Sequence, residues 1–298
     1  MTQNIQQTGL VDKLQVRRAF SNAADCYDSA AVLQREIGNR MLERLDYVRL
    51  QPKVILDAGA GTGFCTGQLL NRYKKARIVG LDFALPMLKH VQKRGRWLRR
   101  PDCVCGDIEC LPLASESVDL VYSNVAIQWC TDLNKTLDEF MRVLKPGGLL
   151  MFTTFGPDTL QELRAAWSEV DGTRHTSDFV DMHDIGDTLL QSGFADPVMD
   201  AERMQLTYDN VRGLVDDLKT IGAHNASKQR QRGMTGKKRW QGMCNAYEKF
   251  RVNQRLPATY EVLYGHAWKA QSSQAVQKTQ NGQTFVPVQH IKKLSDQL

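Results

Sequence analysis

The chain has 298 residues, with 39 Lys and Arg against 33 Asp and Glu and a net charge of +6. With 42% apolar and 24% charged residues it is neither disordered nor collagen-like. No apolar run approaches the roughly 18 residues a membrane-spanning helix needs. Residues 1–20 hold no apolar block ahead of a small-residue cleavage site, so a cytoplasmic protein is expected. The seven cysteines (26, 65, 103, 105, 110, 130 and 244) read as reduced, mostly buried thiols.

Residues 1–50 read as helical, with Leu33, Ile37, Met41 and Leu45 recurring every four residues before Pro52. Strand and helix patterns then alternate. Strands are expected at 54–56, 77–81, 102–105, 118–122 and 149–155, and helices at 64–73 and 84–94. A further helix starts near Thr131 or Asp132 and stops at Lys145-Pro-Gly-Gly148. Short apolar strands separated by helices predict a parallel sheet covered on both faces. Helices at 159–170 and 184–191, a strand at 198–206 and a helical, basic stretch at 210–256 follow. Residues 258–269 alternate like a strand and should pair with 198–206, leaving 210–256 inserted between the two. Residues 271–298 form a polar, Gln-rich tail with a short strand at 285–288. The basic runs at 89–100 and 228–239 suit solvated helix faces or a landing surface for an acidic macromolecule.

The motif Asp57-Ala-Gly59-Ala-Gly61-Thr-Gly63 follows the first strand and opens a helix. Glycine there permits a tight turn and close approach of a ligand to the backbone. Counting from Gly59 or Gly61, the last position of a dinucleotide fingerprint falls on Phe64 or Thr66, and no G-K-[ST] follows. A phosphate cradle is therefore disfavoured, and a ligand with a cationic amino-acid part fits better. Asp82 ends the second strand, where a carboxylate can accept both hydroxyls of a ribose. Asp107 after the third strand could accept from an adenine amino group, with Ile108 over the ring. Asn124 closes the fourth strand. All four positions lie at the carboxyl ends of strands, where open sheets bind ligands.

This constellation resembles the Rossmann-like S-adenosylmethionine-dependent methyltransferases over residues 50–155. The resemblance implies an α/β fold: a seven-stranded, mostly parallel sheet with an antiparallel final hairpin. It implies that Asp57, Gly59, Gly61 and Gly63 hold the methionine part, Asp82 the ribose, and Asp107 and Ile108 the adenine. The cofactor would be S-adenosylmethionine, leaving as S-adenosylhomocysteine. A wider set of segments is similar to the malonyl-[acyl-carrier protein] O-methyltransferases of biotin synthesis. They are Arg18-Ala-Phe20-Ser-Asn-Ala-Ala24-Asp-Cys-Tyr27-Asp28, Gly106-Asp-Ile-Glu109, Ser123-Asn-Val-Ala-Ile-Gln-Trp129, Thr159-Leu-Gln-Glu-Leu-Arg164, Asp217-Leu-Lys219-Thr-Ile-Gly-Ala-His224-Asn225 and Pro257-Ala-Thr-Tyr-Glu-Val262. Ala60 departs from the Cys that many relatives carry. The resemblance divides the chain into a helical lid segment (1–50), a methyltransferase core (51–209 and 257–270), a helical substrate or partner insertion (210–256) and the tail.

The implied acceptor is the free carboxylate of a malonyl thioester on acyl carrier protein, or on coenzyme A. Its methyl ester would prime pimeloyl synthesis. Such a carboxylate is ionised at pH 7, so no general base is assigned and positioning carries the catalysis. Tyr27 and Gln34 in the N-terminal segment, Gln128 and Trp129 after the fourth strand, Arg164, and Lys219, His224 and Asn225 in the insertion are the candidate substrate residues. Lys237, Lys238 and Arg239 could steer an acidic carrier. Cys103, Cys105 and Cys110, and His175 and His183 with Asp178, Asp181 and Asp184, read as structural rather than as metal ligands. No N-P-P-Y box follows the fourth strand, so a nucleic-acid acceptor is not expected, and no membrane role is expected either. Two competing readings are a methyltransferase for a small carboxylic acid or quinone precursor, and a non-catalytic cofactor-binding scaffold.

Overall fold

The computed structural model describes residues 11–173, 175–223 and 236–271. The helical N-terminal segment is broken into three pieces, α1 (Lys13–Ala23), α2 (Tyr27–Ala30) and α3 (Val32–Arg44). Asp12 caps α1 by accepting from the Gln15 amide. The alternating part follows as β1 (Val54–Ala58), α4 (Phe64–Arg72), β2 (Arg77–Asp82), α5 (Leu85–Val91), β3 (Asp102–Cys105), β4 (Val118–Asn124), α6 (Leu133–Val143) and β5 (Leu144–Phe155). Then come α7 (Gln161–Ser168), α8 (Met182–Gln191), β6 (Phe194–Tyr208), α9 (Val211–Thr220), α10 (Lys237–Tyr247) and β7 (Leu256–Lys269).

The seven strands form one sheet in the order β3-β2-β1-β4-β5-β7-β6. The first five are parallel, and β7 runs antiparallel to both β5 and β6. The expected fold class and the final strand pair are both present. Period-2 geometry sends alternate residues of each strand to opposite faces. Ile55, Ile78, Leu120 and Tyr122 pack with Ile37 and Met41 of α3 on one face. Leu56, Val79, Val121 and Leu150 pack with Leu137 and Phe140 of α6 on the other.

Several boundaries differ from the expected ones, each for a local reason. The helix expected at 159–170 starts only at Gln161, because Leu160 takes a left-handed φ of 57°. The 84–94 helix stops at Val91, ahead of the turn at 92–95. The α6 helix ends at Val143, and Lys145 to Gly148 already belong to β5. The cysteines are not mostly buried. Only Cys65 and Cys130 are, while Cys26, Cys105 and Cys110 are exposed. Cys103 and Cys105 sit on β3, which is a sheet edge rather than an interior strand. The expected strand at 285–288 lies outside the described residues. No helix among the described residues is long and apolar enough to cross a membrane.

Candidate active site

The glycine motif after β1 turns beneath the carboxyl end of the sheet. A Cβ on Gly59, which has φ of +80°, would stand 2.4 Å from the Ala126 Cβ. A Cβ on Gly63 would meet the Val91 backbone at 2.9 Å. Gly61 differs: its φ is +54°, but open space lies where its Cβ would be. The protein therefore packs against Gly59 and Gly63, while Gly61 presents bare backbone to the cleft.

Two buried carboxylates flank this turn. Asp57, 1% exposed, accepts from the Thr66 hydroxyl of α4 at 2.5 Å. Burial pushes its carboxyl up to about 7, and the nearby Asp82 charge adds to this. Asp82 accepts from the Gly61 amide at 2.9 Å and the Ala84 amide at 2.8 Å. Its carboxyl is pushed up to about 6, again by burial. At the far end of the cleft, Asp107 is 2.5 Å from Lys13 Nζ, which also reaches Glu109 at 2.6 Å.

The N-terminal helices roof the cleft. Asp28 accepts from the Thr62 hydroxyl at 2.5 Å and from Arg94, which also donates to the Thr62 carbonyl at 2.9 Å. Asn124 donates to the Gln34 carbonyl at 3.0 Å and accepts from the Thr153 hydroxyl at 2.8 Å, tying α3 to β4 and β5. Phe20 meets Trp129 edge-on with ring centres 5.4 Å apart, and also touches Tyr27 and Phe83.

Beneath this aromatic cluster the cleft adjoins a second, largely apolar cavity that runs between α7, α9 and the ends of β5 and β7. Phe20, Tyr27, Val125 and Trp129 line both spaces. Val125 is a β-branched residue at φ of 51°, a strained conformation held by hydrogen bonds from its amide to the Thr153 carbonyl and hydroxyl. Gln34 Oε1 and Gln128 Oε1 are buried without a hydrogen-bond partner, and both residues line the second cavity. Both atoms are acceptors, and uncompensated acceptors of this kind are costly in a folded chain. Burial, reinforced by Asp82 and Asp28, pushes the Tyr27 phenol well above its ordinary range, so it stays a neutral donor.

Residues 56–152 match the family model described as a methyltransferase domain. The malonyl-[acyl-carrier protein] O-methyltransferase of Gallionella capsiferriformans is 53% identical over 266 residues, covering 87% of this chain and 92% of that protein. The chain belongs to the malonyl-[acyl-carrier protein] O-methyltransferase family.

Solved structures show the same fold at low identity. The YcgJ protein of Bacillus subtilis matches with a TM-score of 0.55 at 15% identity, over 78% of this chain and 98% of that one. The Haemonchus contortus phosphoethanolamine N-methyltransferase 2, solved in complex with S-adenosyl-L-methionine, matches with a TM-score of 0.51 at 17% identity. That match covers 84% of this chain and 57% of that one.

Within this family frame, Gly59, Gly61, Asp82, Asp107, Ile108 and Asn124 line the first cleft, and Asp57 lines an adjoining hollow with Gly59, Gly61 and Asn124. Gly63 does not; it packs the start of α4 against α5. The residues present fit S-adenosylmethionine. Gly61 is uncovered backbone, Asp57 offers buried negative charge to an ammonium group, and Asp82 offers acceptors to hydroxyls.

The candidate substrate residues divide. Tyr27, Gln34, Gln128 and Trp129 line the second cavity. Arg164 does not: its guanidinium donates to the carbonyls of Pro157 and Thr159 and fastens the loop before α7. Lys219 also lies away from it, on the exposed side of α9 near Asp216, because Leu218 and Ile221 take the inward positions. His224 and Asn225 lie outside the described residues. Lys237 and Lys238 are exposed at the start of α10, whereas Arg239 pairs with Asp171.

Sequence reasoning missed Lys13, Val125 and His175 at the site. Lys13 carried a usable signal in its place one residue after a helix cap. Val125 carried none, since a positive φ at a β-branched residue is imposed from outside. Among the described residues, no group of three or more His, Cys, Asp or Glu comes together as a metal site.

Proposed function

We propose that this chain transfers a methyl group from S-adenosylmethionine to the free carboxylate of a malonyl thioester on acyl carrier protein. The reading rests chiefly on one observation. A cleft with buried carboxylates and open glycine backbone adjoins an apolar cavity through the shared side chains of Phe20, Tyr27, Val125 and Trp129. The relatives' names supply the acceptor.

When bound, S-adenosylmethionine supplies an electrophilic methyl group on a sulfonium sulfur. Asp57 would hold its ammonium group, Asp82 its ribose hydroxyls, and Asp107 with Ile108 its adenine. The malonyl carboxylate is already ionised at neutral pH, so no side chain needs to remove a proton. Tyr27 and Trp129 would orient it through neutral donors, with Gln34 and Gln128 lining the same cavity. The roof of Phe20 and Tyr27 excludes water, and such alignment can supply on the order of 7–11 kcal/mol. The neutral ester product no longer matches a site arranged for an anion, which favours its release. In this reading residues 1–50 act as a lid and 210–256 as an insertion that meets the carrier, in the cytoplasm, and the ester serves pimeloyl synthesis.

Intact-protein mass spectrometry tests the reading. Malonyl carrier protein incubated with the chain and S-adenosylmethionine should gain the mass of one CH₂, reversed by alkaline hydrolysis. Turnover of free small acids with the carrier left unmodified would move the acceptor. Cofactor binding with no turnover on any acceptor would favour a scaffold.

A further inference from the structure

The neutral donors above leave the negative charge of a malonyl group without a cationic partner. Arg164 and Lys219 lie away from the cavity. Among the described residues lining it, His175 is the sole Lys, Arg or His. Its placement is tightly fixed. The ring lies flat on Trp167, with centres 3.6 Å apart and planes 7° from parallel. Its Nε2 is 2.9 and 3.2 Å from the two oxygens of Asp171 and 2.9 Å from the Thr173 hydroxyl. Asp171 also accepts from Arg239 of α10. Desolvation alone would raise the Asp171 carboxyl, but the donors Thr173, Arg239 and His175 outweigh it and hold it well below the usual carboxylate range. One ring nitrogen is therefore committed to an ionised partner. In the imidazolium form the other, Nδ1–H, is a second donor.

We propose that His175 is the residue that binds the malonyl carboxylate, braced by Asp171 and stacked on Trp167. This rests on the methyl-transfer reading above. Nδ1–H holds one carboxylate oxygen, and the other oxygen attacks. A lone pair of that oxygen forms the new bond to the methyl carbon, the bond from carbon to sulfur breaks, and its electron pair stays on sulfur. No proton moves, so His175 is unchanged by turnover and faces a neutral ester afterwards. Asp171 is a positioning residue, acting through the ring, and Arg239 holds Asp171. That gives Arg239 a structural task distinct from carrier steering by Lys237 and Lys238.

The test compares the wild type with His175→Gln and Asp171→Asn. KM and kcat are measured on malonyl carrier protein, and affinity is measured for the methyl-ester carrier and for S-adenosylhomocysteine. His175→Gln should raise KM for the malonyl carrier about tenfold or more, the usual scale for losing a charged hydrogen bond. Binding of the methyl-ester carrier and of S-adenosylhomocysteine should stay within about twofold. The preference for acid over ester should therefore collapse. Asp171→Asn, which keeps the ring, should weaken the same preference to a lesser degree and serves if His175→Gln does not fold. An unchanged KM in folded variants overturns the proposal, and so does equal weakening of acid and ester, which would mean a packing role. A wild-type protein that leaves malonyl carrier unmethylated would overturn the reaction reading instead.

Discussion

Lys13 of α1 and Asp107 of the loop after β3 meet at 2.5 Å, tying the N-terminal helix to the β3 end of the first cleft. A second tie, between Asp28 and the Thr62–Arg94 pair, closes the same segment over the glycine turn. Cofactor exchange must break or bypass both. Lys13→Gln should therefore speed S-adenosylhomocysteine dissociation severalfold, since a partly exposed ion pair is worth about 1 kcal/mol at most. Stopped-flow release, with limited proteolysis of residues 1–50 alongside, would check it. Unchanged release would mean that the Asp28 tie and the aromatic contacts hold the lid without Lys13.

Gly59 and Gly61 should respond differently to alanine. Gly61→Ala costs about 1–2 kcal/mol of left-handed strain but meets no protein atom, so the fold should survive with a melting temperature lower by a few degrees. Its added methyl enters the cofactor cleft, and affinity for S-adenosylhomocysteine should fall tenfold or more. Gly59→Ala clashes with Ala126 as well, and should destabilise the protein itself by a further 1–3 kcal/mol, in order of magnitude. Calorimetric titration and thermal melting separate the two.

The Asp57 carboxyl is raised by burial from an ordinary 3.8 to about 7. A raised acid contributes stability below its unfolded value and loses it as pH rises through its folded value. Asn resembles the protonated form and can still accept from Thr66. Asp57→Asn should therefore match the wild type in melting temperature near pH 4 and exceed it by a margin that grows up to about pH 7 and stays constant above. With Asp57 as the proposed partner of the ammonium group, cofactor binding should weaken in the wild type as pH falls below 7 and be poor in the variant at every pH. A melting difference that does not grow with pH would contradict the burial argument.

Lys237→Glu with Lys238→Glu should lower kcat/KM on malonyl carrier protein severalfold at low salt while sparing malonyl-coenzyme A. The loss should shrink as ionic strength rises, because exposed charges act mainly on encounter. Arg239 is best left in place, since its pairing with Asp171 would confound the result. An effect equal on both substrates would place the lysines elsewhere in the mechanism.

The order of strands and helices, the carboxylates at the strand ends and the family were legible in the linear chain. Each depends on local spacing: period-2 and period-3.6 patterns, a glycine turn after a strand, and acids at strand ends. The parallel sheet then places those ends side by side by topology alone. The second cavity was not legible in the same way, because it is formed by α7, α9 and the 175–179 segment meeting the ends of β5 and β7. Arg164 and Lys219 have suitable chemistry, yet their directions follow from a loop carbonyl pair and from which side of α9 packs inward. His175 looked unremarkable in sequence, and only the fold brings it onto Trp167, beside Asp171 and among the residues lining the cavity. Sequence determines what each element is and which groups it carries. Which of those groups face one another across long separations is decided by packing, because side-chain direction is fixed only when the neighbouring elements are in place.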